Sequence, residues 1–110
     1  MNPYLILIFA IVLEVIGTSA LRASAGFSKL LPSLVVALGY GGAFYLISKV
    51  LTALPLGLTY AIWSGVGTAL TALIGWFYFR DAFSSLALLG IALIIAGVVV
   101  LNLGGAAHGK

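Results

Sequence analysis

An all-α membrane protein of four transmembrane helices is the fold class that this sequence predicts, and three observations predict it. Hydrophobic residues make up 64% of the 110-residue chain and charged ones 6%, too few to clothe a water-soluble domain. The apolar residues form long continuous runs without the two-residue alternation of a membrane strand, and only helices or closed barrels satisfy their backbone groups in lipid. Breaks in hydrophobicity then divide the chain into four lengths, residues 3–21, 31–51, 56–79 and 84–103. Each is close to the roughly 20 residues that cross about 30 Å of hydrocarbon. Little is left over for loops, so residues 1–110 are expected to form one four-helix transmembrane domain.

The first span holds Glu14, one of only two acidic residues in the protein. An ionisable group at bilayer depth is costly to keep and normally faces the protein interior or a wet cavity, which makes it a functional candidate. The span is followed by Ala23-Ser24-Ala25, which has the look of a signal-peptide cleavage site. Met1-Asn2-Pro3-Tyr4 has no basic residue, however, and Glu14 interrupts the apolar run, so the span is expected to stay in the mature protein. A short loop bracketed by Arg22 and Lys29 leads to the second span.

That span opens around Pro32, where a missing N–H costs little, and carries Gly39-Tyr40-Gly41-Gly42. Three glycines lower helix propensity but admit a neighbouring backbone or a ligand at close range. Lys49 ends it, placed to snorkel to the headgroups, and residues 52–55 make a tight connection to the third span. There Gly57, Tyr60, Ser64 and Gly67 recur at three- and four-residue spacing and share a face, with Trp63 beside them. Gly65-Val66-Gly67 is the weakest mid-helix point in the chain and a candidate hinge. Trp76-Phe77-Tyr78-Phe79 before Arg80 and Asp81 reads as an aromatic belt at the interface. The fourth span has no ionisable residue; Gly90 and Gly97, seven apart, fall on one stripe suited to helix packing, so it is assigned to assembly.

Cysteine is absent, which excludes disulfides and thiolate metal sites, and no metal or cofactor is expected. His108 stands alone in the tail, and a lone histidine is a poor ligand set. The net charge of +3 comes from Lys and Arg scattered at span ends, which does not make a nucleic-acid surface. With four spans, Lys49 and Lys110 lie on one side of the membrane and Arg22, Lys29 and Arg80 on the other. Orientation follows such bias, and a difference of one charge predicts insertion both ways. An antiparallel homodimer would supply a second, inverted copy and a second Glu14, in the manner of transporters built from inverted repeats.

These motifs resemble the small multidrug resistance family: Met1-Asn2-Pro3-Tyr4, Leu13-Glu14-Val15-Ile16-Gly17-Thr18, Gly26-Phe27, Tyr40, Pro55, Gly57, Tyr60 to Gly67 and Ala96-Gly97-Val98. The resemblance covers essentially the whole chain and is nearest to the quaternary-ammonium-exporting branch. It implies an antiparallel dimer in the bacterial inner membrane that exchanges protons for lipophilic aromatic cations. The family's essential carboxylate maps onto Glu14, its site-lining positions onto Tyr4, Tyr40, Tyr60 and Trp63, and its dimer contact onto Gly90 and Gly97. Gly17, Thr18, Phe44 and Ser64 complete the candidate site. Tyr45 stands where a tryptophan is common, a difference that could alter which aromatic drugs fit; Arg22 and Phe79-Arg80-Asp81 also depart from the pattern.

An apolar setting disfavours the charged form of any carboxylic acid, and two neighbouring carboxylates titrate as a coupled pair. Proton and lipophilic cation are therefore expected to compete for a pair of Glu14 side chains, with Tyr40, Tyr60 and Trp63 offering π faces worth roughly 0.5 to 2 kcal/mol each. Tyr4 or Tyr60 could donate a hydrogen bond to Glu14. Three other readings stay open at this point: a guanidinium or polyamine exporter of the same family, a proton-translocating rotor-ring subunit, and a structural or regulatory membrane subunit. Ile16-Gly17 and Ser64 stand where the guanidinium branch usually has a tryptophan and a threonine, which favours the drug-exporting branch.

Overall fold

The computed structural model describes residues 2–104 and contains four α-helices: α1 Pro3–Ala23, α2 Leu30–Val50, α3 Leu56–Phe77 and α4 Ser85–Leu103. Each is long and apolar enough to cross a membrane, and no strand occurs among the described residues. The protein is an all-α, multi-pass membrane protein. His108 and Lys110 lie outside the described residues. The helices group into two compact units, one holding α1 and α2 and ending at Ala53, the other beginning at Leu54 and holding α3 and α4.

In the first unit α1 starts on Pro3, whose absent N–H would have lacked a helical partner anyway, while Asn2 Oδ1 accepts the Tyr4 N–H at 2.8 Å. Leu7, Ala10, Ile11, Val15 and Gly17 are the buried residues of α1; Val36, Gly39, Ala43, Ile47 and Val50 are those of α2. Both sets recur at helical spacing, and both include small residues that allow close approach. A Cβ placed on Gly39 would lie 2.9 Å from the Leu13 carbonyl oxygen and 3.0 Å from Gly17 Cα, so here the two backbones touch.

Ser24 organises the turn between them. Its Oγ donates to the Leu21 carbonyl and accepts the Phe27 N–H, while its own carbonyl accepts the Ser28 and Lys29 N–H groups and the Ser28 hydroxyl. These bonds carry α1 past the expected end at Leu21 as far as Ala23. They also hold Ala25, Gly26 and Phe27 in succession at φ of 49°, 73° and 65°, a left-handed run that only the glycine adopts without strain.

In the second unit α3 stops at Phe77 rather than Phe79. The Tyr78 and Phe79 N–H groups both turn back to the Ile74 carbonyl, Asp81 N–H bonds to the Gly75 carbonyl, and Arg80 is left-handed at φ 61°. Asp81 Oδ2 lies 2.7 Å from where a Cβ on Gly75 would stand, so Gly75 makes room for this fold-back. Trp76 stacks on Phe83 at 4.9 Å, closing the aromatic run over the turn. Ser84 then caps α4 by accepting the Ala87 N–H at 3.1 Å, which makes it the cap rather than the first helical residue.

α3 packs on α4 through Gly65, where an added Cβ would sit 2.6 Å from Val98 Cγ2 and 3.3 Å from Ile94 Cγ2. Overpacking of this kind costs about 1 to 3 kcal/mol. Gly65→Ala is therefore expected to lower the thermal stability of the detergent-solubilised protein, and Val98→Ala in the same chain to restore most of the loss. Additive losses in the double variant would show that the two residues do not meet.

Candidate functional site

Glu14 lies near the middle of α1, half-buried, and Thr18 follows it by one helical turn. Their side chains meet: Thr18 Oγ1 donates to Glu14 Oε2 at 2.7 Å. A charged group costs about 2.5 to 3.5 kcal/mol at the centre of a membrane helix. A hydrogen bond to an ion returns about 1.5 to 3 kcal/mol, so one threonine offsets much of that cost.

The hydroxyl of Thr18 also lies 2.7 Å from the Tyr40 hydroxyl, which extends the group across to α2. What brings Tyr40 there is the glycine contact one residue earlier. Gly39 rests on Gly17 and Leu13, and a Cβ on Gly17 would stand 3.4 Å from both the Tyr40 ring and the Tyr40 nitrogen. The Tyr40 ring thus lies across the flat surface that Gly17 leaves, and its hydroxyl reaches Thr18. Phe44, one turn on, has its ring centroid 6.5 Å from that of Tyr40 and is largely exposed. Of the residues expected at the site, Glu14, Gly17, Thr18, Tyr40 and Phe44 are therefore neighbours in the α1–α2 unit. Gly39, absent from that set, is the residue on which their register depends; its signal was the close-approach glycine cluster around Tyr40.

Tyr4 is exposed in the first turn of α1. Ten residues separate it from Glu14, about 15 Å along the axis, and within one chain the carboxylate bonds to Thr18 instead. On α3, Tyr60 and Trp63 meet edge to face with ring centroids 6.0 Å apart, the favoured aromatic geometry. Tyr60 and Ser64 are exposed on this helix, whereas Gly67 is buried and its carbonyl accepts the Thr71 hydroxyl at 2.9 Å. The α-helix runs unbroken through Gly65-Val66-Gly67, and Gly65 has a packing reason in Val98.

On α4 no residue is buried, and outside the helix's own adjoining turns no described atom lies within 4 Å of a Cβ built on Gly90 or Gly97. Tyr45, considered above as a determinant of drug fit, is exposed near the end of α2 with Lys49 Nζ 5.2 Å from its ring centroid. Its π face thus attracts a cation of its own chain.

Comparison with known proteins gives a consistent result. The family model described as Small Multidrug Resistance protein matches residues 2–94. The chain is 50% identical over 103 residues to the quaternary ammonium compound-resistance protein QacE of Escherichia coli, covering 94% of each chain. It is 44% identical over 106 residues to the quaternary ammonium compound-resistance protein QacC of Staphylococcus aureus, covering 96% of this chain and 99% of that one. It is also 44% identical over 103 residues to the multidrug transporter EmrE of Escherichia coli strain K12, covering 94% of each.

Proposed function

The chain belongs to the small multidrug resistance family, and on that footing we propose that it is a secondary active exporter of lipophilic, aromatic quaternary cations, driven by protons moving the other way. Its relatives are named as transporters and resistance proteins, not as enzymes. The observation that carries the reading is the one carboxylate of the membrane-spanning helices, Glu14, held in the middle of a span by Thr18, which in turn meets Tyr40. The ionised carboxylate attracts a lipophilic cation; a proton on the same group removes the attraction and releases it. Tyr40, Tyr60, Trp63, Phe44 and Tyr4 offer aromatic faces, which bind cations without strict geometry and so suit a range of drugs. Gly17, Thr18 and Ser64 supply the small and polar positions around the charge.

We place the protein in the bacterial inner membrane as an antiparallel homodimer whose two Glu14 side chains form one site, with each chain a single four-helix domain. The near-even distribution of Lys and Arg supports dual orientation. The bare stripe of Gly90 and Gly97 on a helix without buried residues supports a contact with a second copy. Gly65 and Gly67 give α3 a place to bend between inward- and outward-open states.

Proteoliposomes test the exchange. An outward-directed proton gradient, acid inside, should drive uptake of tetraphenylphosphonium above its equilibrium level, and a protonophore should collapse that uptake at once. Uptake that ignores the gradient and the protonophore overturns proton coupling.

A further inference from the structure

The middle member of the Glu14–Thr18–Tyr40 group is hydrogen-bonded to both of the others. A threonine hydroxyl carries one proton and can donate only once. Thr18 donates to Glu14 Oε2 at 2.7 Å while its oxygen lies 2.7 Å from the Tyr40 hydroxyl, so Tyr40 must be the donor of that second bond. An ionised carboxylate accepts only, and this is then the sole polarity that satisfies all three groups.

A protonated Glu14 changes the choice. A carboxylic acid is a stronger donor than an aliphatic hydroxyl and a weaker acceptor than its own anion. The favoured arrangement then reverses, with Glu14 donating to Thr18 Oγ1 and Thr18 donating to the Tyr40 oxygen. No proton passes along the group; the one that neutralises Glu14 comes from water, and the two hydroxyl protons only rotate. Tyr40 meanwhile goes from a phenol whose proton is spent on Thr18 to one whose proton is free for another partner.

We infer that Thr18 is a positioning residue that couples the charge of Glu14 to the hydrogen-bond character of Tyr40. This inference rests on the proton-exchange reading above. Its consequence for recognition is specific. With Glu14 ionised, Tyr40 presents lone pairs, which favour a cation carrying an N–H; with Glu14 protonated, Tyr40 presents an O–H, which disfavours it. A quaternary cation, having no N–H, is insensitive to this part of the exchange. Thr18 thereby separates protonated lipophilic amines from quaternary ones.

Within the α1–α2 unit the titratable side chain joined to Glu14 and Thr18 is Tyr40. Tyr4, Arg22, Lys29, Tyr45 and Lys49 are all exposed, and Tyr4 and Arg22 stand ten and eight residues away from Glu14, about 15 and 12 Å along α1. None of these five replaces Thr18 as the link.

The test uses the full-length protein in lipid bilayers with tyrosine labelled at 13Cζ. Tyr40 is assigned by Tyr40→Phe, and the carboxylic-acid infrared band of Glu14 is assigned by Glu14→Gln. In the wild type the Tyr40 resonance should move with the same pH midpoint as the Glu14 band. In Thr18→Val, Glu14 should still titrate while Tyr40 stays still, and Thr18→Ser should restore the movement. The preference for a protonated tertiary amine over its N-methylated quaternary analogue, measured above the Glu14 midpoint, should fall roughly three- to tenfold in Thr18→Val, the value of one hydrogen bond. A Tyr40 resonance that ignores Glu14 in the wild type, or still follows it in Thr18→Val, overturns the coupling and leaves proton exchange standing. A Glu14 band that does not titrate in the wild type overturns both.

Discussion

Glu14→Gln should lose nearly all binding of tetraphenylphosphonium and nearly all of its dependence on pH, while the protein folds and assembles as before. The amide has the shape of the carboxylate, and its oxygen still accepts the 2.7 Å bond from Thr18, so nothing in the α1–α2 packing is disturbed. What disappears is the negative charge. Removing one member of a desolvated, directly contacting charge pair costs about 2 to 5 kcal/mol, which is roughly 30-fold to several thousand-fold in affinity. On the proposed competition of proton and cation for Glu14, lowering the pH should weaken binding in the wild type; in the variant that carboxylate is gone and the profile should be flat. Calorimetry on detergent-solubilised protein at two pH values measures both effects. Tight, pH-independent binding in both proteins would rule out the carboxylate as the coupling group.

Gly39→Ala is expected to have the second large effect, and by a different route. One added methyl would stand 2.9 Å from the Leu13 carbonyl oxygen and 3.0 Å from Gly17 Cα, both backbone atoms that cannot rotate away. The helices must separate, at about 1 to 3 kcal/mol for overpacking, less the roughly 1 kcal/mol that alanine gains over glycine in a helix. Separation also carries Tyr40 off Thr18, so stability and cation affinity should fall together. Gly41, two residues on, is the control: a Cβ there meets nothing within 4 Å, and Gly41→Ala should be neutral or stabilising. Unfolding in a denaturing detergent, followed by circular dichroism, compares the two. Equal stability of both variants would mean that the helices do not touch at Gly39.

The two variants bear on different levels of the protein, and so did the reading of its sequence. The number of helices was legible because crossing lipid requires long, internally bonded apolar segments, and the run of hydropathy along the chain reports those. Their ends were less so. Ala23 and Phe77 depend on Ser24 and on the fold-back of Asp81 to Gly75, bonds between residues that no apolar pattern encodes.

At the site, Glu14 was conspicuous because a lone carboxylate in an apolar run has no structural economy to explain it, and Thr18 stands one turn along the same face. Tyr40 was a candidate from its glycine neighbours and from family resemblance, yet neither of these says which atom it touches. The same holds for Tyr45, whose identity does not announce that Lys49 Nζ lies 5.2 Å from its ring centroid within α2.

By itself, then, the sequence determined a four-span membrane protein with one acid inside a span and a helix face of glycine, serine and aromatic residues, because those properties follow from hydropathy and from 3.6-residue periodicity within single segments. Only the tertiary structure decided that the acid is the end of a three-member hydrogen-bonded group. That group requires α1 and α2 to meet in one register, and the register is set where Gly17 and Gly39 bring two backbones into contact. The distance between hydroxyls on different helices is a product of packing, and no spacing along the chain contains it.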